Sequence, residues 1–365
     1  MEQAPSPFKS EDMREALSPR VVASRAEAIA EILKEFEKAQ ARNYGDLAFH
    51  HEGHLREVRH NAREFAEIIM SIDPSLVTEE TLEEIVGSAA SHDSVLNSAR
   101  GQWLTRLRGF YDSDLQGEGK RQLRDVMEKA GILKGNERMS AERLDQELKR
   151  YVDKGGKRIF DGRSRDRMWL AIAATLPEFD FQATIPDEEY EKHFREGVLE
   201  AEDLEAYRTG LKIWQPHLRP DSYMVELAVA QADLRGAVSN PDFEVFKKSG
   251  NAEFRESVLW VREALKNGTE NVNTEDRERI ASAILSWIKS QVSFAMWQKV
   301  LFWKAINENE LINGSAKRGE IHKALAERYD ANFDKNILAA KQRAETVDGL
   351  ALEDLLIEIG YDLKD

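Results

Sequence analysis

The 365-residue chain contains no cysteine, which excludes disulfide cross-links and thiolate metal sites, so any metal must be held by imidazole and carboxylate. An excess of positive charge is also missing: 52 Lys and Arg stand against 67 Asp and Glu, a net charge of -15. Phosphate backbones recruit basic surfaces, so general nucleic-acid binding is not expected, although a local basic pocket is compatible with that total. Nor is there a long apolar run. MEQAPSPFKSEDMREALSPR at the start has no stretch of signal-peptide length and carries acids throughout. The most apolar later stretch, LSWIKSQVSFAMWQKVLFWKAI, is broken by lysines, whereas a spanning helix needs about 20 mostly apolar residues. A soluble, cytoplasmic protein without membrane contact is the expectation, and the lack of cysteine fits a reducing compartment.

Proline is sparse, nine in the whole chain. Apolar residues recur at intervals of three and four, which together with the low proline content predicts an all-α fold without strand pairs. Pro5 and Pro7 mark residues 1–20 as a flexible arm. A first helix is expected from about Val21 to Ala41, with Ile29, Ile32, Leu33 and Phe36 inward. The length suits two domains, or one domain with an appendage.

Histidine is present but concentrated. Of eight in the chain, His50, His51, His54 and His60 fall within FHHEGHLREVRHNA at 49–62. Leu55, Val58, Ala62, Phe65 and Ile69 form one apolar helical stripe there, and extending it backwards turns His54 inward. Asp73 and Pro74 end that helix. Thr78 starts the next, whose stripe of Leu82, Ile85, Val86, Ala89 and Ala90 runs into His92 and Asp93. From about 109 to 165 a polar, glycine-containing region reads as an insertion. It holds KGGKRIFDGRSRDR at 154–167, a basic stretch with two readings: a solvated loop, or a phosphate-binding flap using Lys157, Arg158 and Arg163. MWLAIAATLPEF at 168–179 reads as a buried helix stopped by Pro177, and YMVELAVAQADLRGAV at 223–238 as another, carrying Asp233. Amphipathic helices follow from about Phe254, with Trp260, Trp287, Trp297 and Trp303 as packing residues.

Buried imidazole and carboxylate are costly unless hydrogen-bonded or bound to an ion, so His54, His92, Asp93 and Asp233 require an explanation. A divalent ion supplies one. Two histidines and two carboxylates suit Mn, Fe, Zn, Ni or Mg, and leave two coordination positions for water and substrate. The competing readings are a cationic helix cap for His92 and a salt-bridged or exposed acid for Asp233, with Glu226 and Arg235 nearby. A zincin helix is excluded: His50 and His54 have its spacing, but Glu52 stands one place too late.

These segments carry a resemblance. FHHEGHLREV resembles the opening signature of the HD superfamily of metal-dependent phosphohydrolases, Ser91-His92-Asp93-Ser94-Val95 resembles its His-Asp doublet, and Ala230-Gln231-Ala232-Asp233-Leu234 its distal aspartate helix. The resemblance spans roughly residues 45–240. It implies an HD-type helical bundle at 21–245, with an inserted polar region at 109–165 and additional C-terminal helices at 246–365 packed on the same domain. It also implies that His54, His92, Asp93 and Asp233 ligate one metal ion, that Asp93 is able to bridge to a second, and that His50 protonates the leaving oxygen. Phe49 and His51 stand where the family commonly has tyrosine and asparagine. No second histidine closely follows His92-Asp93, which argues against a fully built second site. The implied function is hydrolysis of a phosphomonoester or phosphodiester of a nucleotide or related small molecule by metal-activated water. The alternatives are a non-catalytic ligand-sensing module of the same fold and an HD-type metal-dependent oxygenase.

Overall fold

A computed structural model of the chain describes residues 18–44, 47–50, 52–94, 136–200, 206–266 and 268–361. Most of the arm expected at 1–20 lies outside them, but Arg20 is held in a short strand, β1 (Arg20–Val21), parallel to β2 (Tyr151–Val152). That strand delays the first helix. α1 (Arg25–Tyr44) starts four residues later than periodicity suggests: the Ser24 hydroxyl accepts from the Glu27 amide at 3.1 Å while the Glu27 carboxylate accepts from the Ala23 amide at 2.6 Å. Ile29, Ile32 and Phe36 are buried as expected.

α2 (Glu52–Ile72) buries the whole stripe of Leu55, Val58, Ala62, Phe65 and Ile69, with His54 on the same face. Truncating a fully buried residue such as Phe65 to alanine should cost about 3–5 kcal/mol. α3 (Glu79–Ala89) begins at Thr78, whose hydroxyl accepts from the Thr81 amide at 3.2 Å, and has Glu79 and Glu80 at the positive end of its dipole. Helical turns continue past its end to Ser94, carrying His92 and Asp93 into the interior.

The described part of the expected insertion adds to the core. α4 (Asn136–Leu148), β2, the link after β2 and α5 (Gly162–Ala173) contribute Leu144, Leu148, Tyr151, Phe160 and Met168 to a cluster with α1. Half of the basic stretch is also not a loop: Asp161 caps α5 by accepting from the Ser164 amide at 2.7 Å, so residues 162–167 are helical. α5 ends at Ala173, before Pro177, and the chain beyond it forms β3 (Glu178–Thr184), antiparallel to β4 (Thr209–Trp214). This pair contradicts the expectation of no strands. Its partners lie far apart in sequence with α6 (Asp187–Arg195) between them, and of β3 only Ala183 is buried, so neither a tight-turn signal nor an apolar alternation announced it.

α3 and α5 run parallel in contact. Glu84 meets Ser164 through Arg25, and the Ser88 hydroxyl donates to the Met168 carbonyl at 3.4 Å. Gly87 permits that approach, since a Cβ there would stand 2.8 Å from Met168 and 2.9 Å from Ile29. α7 (Met224–Arg235) is buried nearly all round and crosses α2, α3 and α5. α8 (Phe243–Ser257), α9 (Leu259–Ala264), α10 (Thr274–Glu308), α11 (Glu310–Gly314), α12 (Arg318–Thr346) and α13 (Leu352–Glu358) complete an all-α architecture. The largest core cluster joins α2, α3 and α7 to α10 and α12. The tryptophans of α10 serve packing: Trp297 is buried, while the Trp287 and Trp303 indoles donate to the Gly250 carbonyl and to Asp330. Among the described residues no helix is long and apolar enough to cross a membrane.

Candidate metal centre

Three helices bring His54, His92, Asp93 and Asp233 together. One donor atom from each lies within 4.8 Å of all the others. His92 Nε2 stands 3.0 Å from Asp93 Oδ2 and 3.3 Å from Asp233 Oδ1, and His54 Nε2 stands 3.5 and 3.7 Å from the same two oxygens. Two atoms each about 2.1 Å from a shared ion lie roughly 3.0 to 3.5 Å apart in octahedral or tetrahedral geometry, a range that holds three of these spacings, with the 3.7 Å from His54 to Asp233 slightly beyond it.

The nitrogens are aimed for ligation. His92 Nδ1 donates to the Ala89 carbonyl at 2.8 Å, which leaves the Nε2 lone pair of a neutral ring facing the carboxylates. Both Nε2 atoms are buried without a hydrogen-bond partner, although carboxylate oxygens are near; the pairs are close but misaligned for hydrogen bonds. An unsatisfied buried acceptor is expensive, and a cation at the convergence point would satisfy both. The electrostatics agree. Burial disfavours a charged His92, yet Asp93 and Asp233 outweigh it and hold its pKa well above the histidine range. Burial likewise opposes a charged Asp93, but His92 and His54 keep its carboxyl well below the usual range. The arrangement demands positive charge between two carboxylates, and the four residues could hold a metal ion.

His50 adjoins the cluster, its Nε2 3.8 Å from Asp93 Oδ2. Its other ring nitrogen is 2.5 Å from Glu256 Oε1, while Glu256 Oε2 accepts from the Phe49 and His50 amides at 2.8 and 3.1 Å. Burial opposes protonation of His50, but the bond to Glu256 and the charge of Asp93 raise its pKa to about 10. One glutamate thus fixes the backbone, ring orientation and charge of the histidine. Sequence reasoning missed it. Glu256 lies on α8, more than 200 residues from His50, and looks like any acid on an amphipathic helix. α8 is itself anchored: Asn251 donates to the Glu358 carbonyl at 2.8 Å and accepts from Arg343 at 2.7 Å. Glu253, one turn before Glu256, has its pKa raised by burial. Glu137 on α4 is pushed up to about 7 by burial, then by the charges of Asp93 and Asp233.

Lys157, Arg158 and Arg163 are exposed. Arg165 and Arg167 from the same stretch serve structure, paired with Asp145 and Glu84. His51 lies outside the described residues. His60 is exposed, and His193 is buried far from the ligands in sequence with Nδ1 donating to the Glu189 carbonyl at 2.7 Å. No family profile, curated protein or solved structure matches the chain.

Proposed function

We propose that this protein is a metal-dependent phosphohydrolase of the HD type, cleaving a small phosphomonoester or phosphodiester. The observation that carries the reading is the convergence of two buried Nε2 atoms and two carboxylates beside a histidine locked by Glu256. His54, His92, Asp93 and Asp233 would hold a divalent ion such as Mn, Fe, Zn, Ni or Mg, which when bound would supply a nucleophile from water at neutral pH and offset charge on a phosphoryl oxygen. The protein's own groups supply the rest. His92, held by the Ala89 carbonyl, presents one lone pair only, and the paired carboxylates compensate the cation.

His50 is the general acid. Its proton on Nδ1 stays with Glu256, so the proton on Nε2 is the one available to the leaving oxygen. A cation held by Asp93 would offset the Asp93 charge that helps to raise the His50 pKa, and would so lower it. Glu256 limits that fall and restores the orientation of the ring for the next turnover.

The test is a panel of phosphomonoesters, phosphodiesters and cyclic nucleotides, incubated with protein stripped of metal and then reloaded with Mn, Fe, Ni or Mg. Metal-dependent release of phosphate or alcohol is expected. Full metal occupancy with no cleavage across the panel would sink the reading, and metal-dependent oxygen consumption would replace it with an oxygenase.

A further inference from the structure

We infer that a small cavity behind Asp233, between α2, α7 and α12, is a binding site for one monovalent anion of halide size, with Arg235 as its counter-charge. The inference does not depend on what the metal centre catalyses.

Helix geometry gives the position. Gln231 and Arg235 lie two residues before and two after Asp233, so at about 100° per residue both point about 160° away from it and one turn from each other. Asp233 faces His54 and His92, which leaves Gln231 and Arg235 on the back of the same helix. Asn61 stands two turns after His54 on α2, about 10 Å along its axis. Its carboxamide lies over Gly236, where a Cβ would collide with it. Asn61, Gln231 and Arg235 line the cavity together with Phe65, Phe302 and Tyr329.

The charge of Arg235 is unmatched. The residue is 3% exposed, and its Nη1 donates only to neutral oxygens, Gln215 Oε1 at 2.8 Å and the Ala230 carbonyl at 3.4 Å. It forms no ion pair among the described residues; the opposing charge that reaches it is that of Asp233, which faces the metal centre. Arg343, also buried, is closed by Glu358 at 2.8 Å. A buried cation without a partner is costly, and an anion in the cavity would supply one.

The donors point the same way. Arg235 Nε, Asn61 Nδ2 and Gln231 Nε2 are buried and have no hydrogen-bond partner. Gln231 is unpartnered at its oxygen as well, so its amide can turn the NH2 inward. Glu64, the carboxylate in the wall, gives both oxygens to Arg328 at 2.8 Å and adds no uncompensated negative charge. A water in the cavity would accept from two of these donors and leave the charge of Arg235 unmet. The cavity measures about 20 Å³. That is about the room of one water, which admits chloride or bromide and excludes phosphate, sulfate and any nucleotide.

Chlorine NMR line broadening on the full-length, metal-loaded protein tests this, with sodium gluconate holding ionic strength because its anion is too large for the cavity. Saturable broadening that bromide displaces is expected, and the thermal midpoint should rise with chloride over the same concentrations. Asn61→Asp and Gln231→Glu each set a carboxylate beside Arg235. Both should cut the broadening at least tenfold and make the midpoint indifferent to chloride. The two substitutions enter from different helices, so loss of folding in one leaves the other to decide. Failure of both to fold would mean that the cavity rejects negative charge, which overturns the inference. Absence of broadening overturns it too. So does broadening that survives both substitutions, or that disappears with Asp93→Ala but not with them, since the ion would then sit elsewhere or at the metal.

Discussion

α3 and the turns that follow it carry two buried polar sites, and they are built in opposite ways. Glu84, fully buried, receives Arg25 at 2.7 Å and Arg167 at 2.5 and 2.7 Å, with Arg25 also donating to Ser164 at 2.6 Å. Its charge is met from within the chain by donors with fixed geometry. Beyond its C-terminal end, His92 and Asp93 meet His54 and Asp233, and this set assembles two carboxylates around two buried Nε2 atoms that make no hydrogen bond. Both sites bury charge, but only the second leaves acceptors converging on one point. Burial of ionisable groups is therefore not by itself a mark of function; the mark is a group whose natural counterion is not a side chain.

Substitutions should separate the two sites, and the largest effect is expected at the centre. Asp93→Ala should lose metal, measured by elemental analysis, by more than the roughly 10- to 100-fold that removal of an outer-shell partner costs. Undiminished metal in this variant would erase the distinction between the two sites. His50→Gln should keep its metal but lower kcat about 10²- to 10⁴-fold on whichever ester is cleaved, the usual worth of a general acid. Glu84→Gln should do the opposite of Asp93→Ala: metal content holds while stability in urea drops by about 3 kcal/mol, because Arg25 and Arg167 lose their shared partner.

Glu256→Gln should have a smaller effect, roughly tenfold on kcat, with the alkaline limb of the pH profile moving to lower pH as the His50 proton is held less tightly. An unmoved profile would leave Glu256 as a packing residue. The smallest difference concerns stability against pH. The folded pKa of His50, about 10, lies above its ordinary value of 6.5, so its contribution is complete below about pH 6.5 and is lost as pH rises through about 10. The stability gap between wild type and His50→Gln in metal-free protein should shrink over that interval in urea titrations.

The inward position of three members of the cluster was legible in the chain because they continue apolar stripes: Leu55 to Ile69 projects back to His54, and Leu82 to Ala90 projects on to His92 and Asp93. Periodicity also identified α7, whose buried run carries Asp233. Helix ends were less legible. The start of α1 depends on Ser24 and on a strand pairing with residues 151–152, and the α5 helix takes in residues that read as a basic loop because Asp161 caps them. The strands β3 and β4 left no pattern, since most of β3 faces outward.

Local sequence by itself determined where the stripes of α2, α3 and α7 would run, which of their faces would be buried, and that no thiolate could bind a metal, because these follow from side-chain period and composition within a few turns. Tertiary structure alone decided that Glu256 would hold His50 and that Glu84 would be closed by two arginines. Those outcomes depend on how helices far apart in the chain are juxtaposed, and a charged residue on a helix carries no local sign of which distant charge it will meet.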